Sequence, residues 1–121
     1  MKEILERAKV LIQQGHCKGS FARNEYGDVV NVGGEDAKAF CAAGAVYRAA
    51  KELKNANAGY NIVLDCFPHV LPRTNSSVSR WNDEPETTAE DVIVLYDKII
   101  EAIDSGQYKV WLLDWCNNAN R

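Results

Sequence analysis

Apolar residues recur at three- and four-residue steps in two stretches of the chain, and these predict its best-defined helices. Over residues 88–105, Val92, Leu95, Tyr96, Ile99, Ile100 and Ile103 form one unbroken apolar stripe. Thr87-Thr88-Ala89-Glu90 stands in front of it and matches a capping box, with Thr87 as N-cap and Glu90 reaching back. Gly106 falls where a left-handed terminating residue belongs. Over residues 2–14, Ile4, Leu5, Ala8, Leu11 and Ile12 share one face, and Gly15 sits at the same terminating position. A central helix is predicted at 35–54, with Glu35 and Asp36 near its start and Arg48, Lys51 and Lys54 toward its end. Its middle, Phe40 to Val46, carries no charge, which implies burial on several sides. Gly44 there costs about 1 kcal/mol relative to alanine, so another backbone is expected to approach that face.

The remaining segments have weaker patterns. Residues 16–34 read as a hairpin of Ser20–Arg23 with Val29–Val32 around Gly27, or as an ordered loop packed by Phe21 and Val30. Residues 60–71 are a strand or a short buried helix, ended near Cys66-Phe67 by Pro68. Residues 72–86 read as loop. Residues 108–115 are apolar and hold Trp111 and Trp115, so they are expected to pack on the domain or on a partner. The fold class is therefore mainly α, a compact three-helix domain with a small β-hairpin or structured loop after the first helix. Residues 1–106 are expected to form it, with 107–121 as a Trp-rich C-terminal tail.

Composition narrows the class of function. At 121 residues, 46% apolar and 26% charged, the chain suits one ordinary globular domain. Residues 1–60 hold nine Lys/Arg against seven Asp/Glu, and residues 61–121 hold five against ten. Neither half has the clustered basic residues of a nucleic-acid surface. No apolar run approaches the ~20 residues of a membrane span, and the charged N-terminus does not read as a signal peptide. A cytoplasmic location is expected, with Cys17, Cys41, Cys66 and Cys116 as free thiols.

Gly15-His16-Cys17-Lys18-Gly19, Phe40-Cys41-Ala42-Ala43-Gly44-Ala45, and Trp81-Asn82-Asp83 followed by Thr87 and an amphipathic helix occur in this order. In that combination the sequence resembles a family of small bacterial and phage proteins of unknown function, notably actinobacterial, over roughly residues 4–103. The family often has an aromatic at the position of His16, and its pattern lacks Cys66 and the Trp-rich tail. The resemblance implies a compact domain and assigns no activity.

Four candidate sites follow. In the Trp81-Asn82-Asp83 corner, Asn and Asp side chains fix turns by bonding nearby backbone, and Asp83 could instead orient a histidine or a ligand. Cys41 is a candidate nucleophile, alone or in a set of Cys41 or Cys17 with His69 or His16 and Asn82 or Asp83. Its place some two turns inside the central helix instead makes it a small buried core residue. His16-Cys17 and Cys66-x-x-His69 offer four zinc-type ligands, but adjacent side chains diverge. Trp111 and Trp115 serve either the core or an interface, including a homo-oligomer through the tail. The leading reading is a non-enzymatic accessory protein that binds a protein or ligand without a cofactor, and the resemblance implies carriage by phage or another mobile element. A thiol-dependent enzyme and a zinc-stabilised module are the alternatives.

Overall fold

A computed structural model describes residues 1–54, 57–72 and 77–119, and for 57–58 and 114–119 the backbone alone. The chain is mainly helical. In order it forms α1 (Lys2–Gln14), β1 (Ala22–Arg23), β2 (Ala39–Phe40), α2 (Ala42–Glu52), α3 (Asn57–Val70), α4 (Val78–Asp83), α5 (Ala89–Ser105) and α6 (Gln107–Ala119). None of the described helices is long and apolar enough to cross a membrane.

The two periodic stripes form the centre of the core. α1 buries Ile4, Leu5, Ala8, Leu11 and Ile12, and α5 buries Val92, Ile93, Leu95, Tyr96, Ile99 and Ala102. α1 lies between α2 and α5. Lys2–Asp104 and Lys9–Asp97 ion pairs link it to α5, and Arg7–Glu52 links it to α2. These pairs are solvent-exposed and contribute little beside the apolar contacts.

Several boundaries differ from the sequence expectation. α2 begins at Ala42, not near Glu35, because Phe40 is taken by strand pairing on both sides. Its N–H donates to the Gly15 carbonyl at 3.0 Å and its own carbonyl accepts the Cys17 N–H at 3.0 Å, while Ala22 pairs with it across β1. Gly27 does turn the chain (φ 85°), and Val30 N–H donates to the Ala22 carbonyl, but the principal partner of β1 is β2. Gly15 terminates α1 in extended backbone (φ −178°), not in the left-handed region, whereas Gly106 ends α5 at φ 82° as expected.

The segment at 60–71 is part of a helix that runs through Pro68. Burial of Val63, Cys66 and Phe67 along one face holds the last turn, and the Leu71 N–H still reaches the Phe67 carbonyl at 3.0 Å. One missing amide in a final turn is tolerated where packing supplies the rest. The region before α5 is not all loop, since Trp81-Asn82-Asp83 closes α4, capped by the Ser77 hydroxyl on Arg80 N–H. The capping box of α5 lies one residue later than expected, on Thr88 and Asp91. α6 packs against α3 and α5.

Candidate functional site

The loop after α1, the start of α2 and the end of α4 meet at one buried side chain, Asn82, which is 0% exposed. Its Oδ1 accepts the Ala42 N–H at 3.0 Å, and its Nδ2 donates to the Cys17 carbonyl at 3.0 Å. A backbone donor and a backbone acceptor on opposite ends fix which way the amide faces. His16 Nε2 lies 2.7 Å from the same Oδ1, so this ring nitrogen must carry a proton and donate. Asn82 Nδ2 also donates to Asp83 Oδ1 at 3.0 Å, and that oxygen accepts the Gly19 N–H at 2.9 Å. Asn82 thus joins all three segments singled out in the sequence.

Neighbouring groups brace this junction. Thr87, predicted to cap α5, instead donates its hydroxyl to the Trp81 carbonyl at 2.7 Å. Lys18 Nζ donates to the carbonyls of Glu84 and Pro85. The Tyr96 hydroxyl, deep in the core, donates to the Ala42 carbonyl at 2.5 Å. Gly44 is required by close approach, since a Cβ there would run into the Phe21 carbonyl oxygen.

Cys41 lies at the N-cap of α2, not two turns within a helix, because the helix starts late. Its Sγ accepts the Gly44 N–H at 3.2 Å. Burial pushes its pKa up, partly opposed by the Gly44 and Ala43 N–H groups, and Asp83 adds to the rise. Burial likewise raises the pKa of Cys17, and nearby Cys41 adds to it. Cys17 Sγ donates to the Ser20 carbonyl at 3.6 Å. Among the described residues neither thiol hydrogen-bonds to an imidazole, and burial favours the thiol over the thiolate in both.

Cys41 and Asp83 line one cleft of about 250 Å³ together with Gly19, Ser20, Phe21 and Ser79. Phe21 does not pack the loop as expected. The residue is 57% exposed. Nothing in the local sequence marks Phe21 or Ser79 for this place, because only the tertiary pairing of β1 and the short α4 brings them there.

The other candidates lie apart. Trp81 is buried beneath a larger cleft of about 500 Å³ that also meets Val70, Leu71, Thr87 and Leu95. His69 is not near Cys41 or Asp83. It lies on α3, stacked on Trp111 of α6 with ring centroids 5.0 Å apart and planes parallel. Cys66 faces the core while His69, three residues on, faces outward, so the two do not form a knuckle. Among the described residues, no group of three or more His, Cys, Asp or Glu is gathered for a metal. The Trp115 side chain lies outside the described residues.

The chain belongs to the family of unknown function DUF6197, whose model matches residues 1–102. No curated protein and no solved structure matches it. The Asn82 junction and the cleft fall entirely within the matched residues.

Proposed function

We propose that the chain is a non-enzymatic accessory protein of the bacterial or phage-infected cytoplasm that binds a partner group or small ligand in the Phe21–Asp83 cleft. The observation that carries this reading is convergence. Three separated motifs are tied together by Asn82, and the cleft they wall presents an exposed aromatic ring beside fixed polar groups. Concave sites that combine apolar surface with a few oriented polar groups are the usual places for ligands. The Cys41 thiol that lines the cleft fits a wall better than a nucleophile, being buried, raised in pKa and without a hydrogen-bonded base among the described residues.

Amide-detected NMR titration of the full chain with a library of small amides, alcohols and amines tests this reading. Binders are expected to shift the amides of Gly19, Ser20, Phe21 and Asp83, and Phe21→Ser is expected to weaken them several-fold. Binding confined to the cleft beneath Trp81 would overturn the assignment. Native-state labelling of Cys41 by iodoacetamide faster than a free thiol would replace it with a thiol enzyme.

A further inference from the structure

The chemical class of the ligand can be read from the state of Asp83, an inference that rests on the cleft being the binding site. We infer that the cleft takes an organic cation, an alkylammonium or guanidinium group carried on an apolar stem. Asp83 Oδ1 is saturated by the Gly19 N–H at 2.9 Å and Asn82 Nδ2 at 3.0 Å. Its Oδ2 has no hydrogen-bond or ion-pair partner among the described residues.

Arg80, one turn earlier on α4, makes no ion pair with Asp83, and two other nearby cations are committed elsewhere. Lys18 Nζ donates to the Glu84 and Pro85 carbonyls, and the Arg23 guanidinium donates to those of Lys18 and Gly27. The carboxylate is therefore pre-oriented by two donors, with one oxygen left for a ligand. A group fixed before binding loses little freedom when the complex forms.

The rest of the cleft suits the same ligand. Phe21 offers an exposed ring face, which attracts an ammonium or guanidinium through its quadrupole and also covers an apolar stem. Ser20 and Ser79 line the same space, and the Ser20 hydroxyl, which donates to the Ala22 carbonyl at 3.1 Å, keeps its lone pairs for a donor. An anionic ligand would meet the Asp83 carboxylate, and a purely apolar one would cover Oδ2 without giving it a partner.

The test pairs cations with neutral isosteres on the full chain. n-Butylamine and N-methylguanidine are titrated against n-butanol, following the Gly19, Ser20 and Asp83 amides. The cations are expected to bind at least tenfold more tightly, to lose at least tenfold in Asp83→Asn, and to weaken in 0.5 M salt. Asp83→Asn retains an acceptor for the Gly19 N–H, and Phe21→Ser serves as the second variant because its ring is exposed.

Capped Ala-Lys-Ala and Ala-Arg-Ala peptides, run beside free agmatine, separate a protein side chain from a small molecule as the source. Either result supports the inference. Butanol binding within twofold of butylamine at the cleft amides would overturn the cation class while leaving the cleft as a binding site. Unchanged cation affinity in Asp83→Asn would overturn it equally. No shift at these amides with any cation would overturn it as well, and the wider library then decides the cleft separately.

Discussion

Asn82 is one amide serving three chain segments, and its four contacts are buried or nearly so. Replacing it with alanine strands the Ala42 N–H and the Cys17 carbonyl, which have no other partner among the described residues. Each buried backbone group left unpaired costs about 1–3 kcal/mol. Asn82→Ala is therefore expected to lose about 2–6 kcal/mol in urea denaturation. Asn82→Asp keeps the acceptor for Ala42 but loses the donor to Cys17, and it sets a second carboxylate beside Asp83. It is expected to rescue little of that loss. Full stability in either variant would show that the junction is incidental to the fold. The residue types at this corner were legible from the sequence, because Asn and Asp are the side chains that bond backbone. Their partners were not, since Ala42 and Cys17 lie 40 and 65 residues away.

At the level of elements, the amphipathic stripes of α1 and α5 were legible because periodicity alone specifies them. The start of α2 was not. An uncharged run from Phe40 to Val46 reads as helix throughout, yet Phe40 finds strand partners in Gly15–Cys17 and Ala22 that no local window contains. The α5 cap slipped by one for a similar reason, since the Thr87 hydroxyl is claimed by the Trp81 carbonyl and Thr88 takes over the cap. Gly44 marks where the sequence spoke correctly of a close backbone. An alanine in an open helix interior gains about 1 kcal/mol over glycine. Here the added Cβ would displace the Phe21 carbonyl, which accepts the Cys41 N–H at 3.2 Å. Overpacking of this kind costs about 1–3 kcal/mol and outweighs the propensity gain. Gly44→Ala is thus expected to lower the urea midpoint and to perturb the Phe21 and Cys41 amides. A raised midpoint would mean that the β1–α2 contact is loose.

Across the whole molecule, burial sets the ionisation of several weak acids in one direction. Cys17, Cys41, Cys66 and Tyr96 are all raised, chiefly by desolvation, and the Cys66 thiol is pushed up to about 11 from an ordinary 9.0. In the unfolded chain these groups lose their protons near their ordinary values, while in the native state they stay neutral. Between the two values the unfolded state therefore binds fewer protons, and stability falls as pH rises. For Cys66 the contribution is fully present below pH ~9, declines through the window from about 9 to about 11, and is gone above it. A two-unit shift corresponds to roughly 2–3 kcal/mol for this one fully buried thiol. Urea midpoints measured from pH 7 to 11 are expected to hold level to about pH 8 and then drop. Cys66→Ala leaves a small void and lowers the plateau, yet its decline between pH 9 and 11 is expected to be shallower than that of the parent chain. Parallel curves for the two proteins would instead place the alkaline sensitivity in Tyr96 and the thiols beside Asn82.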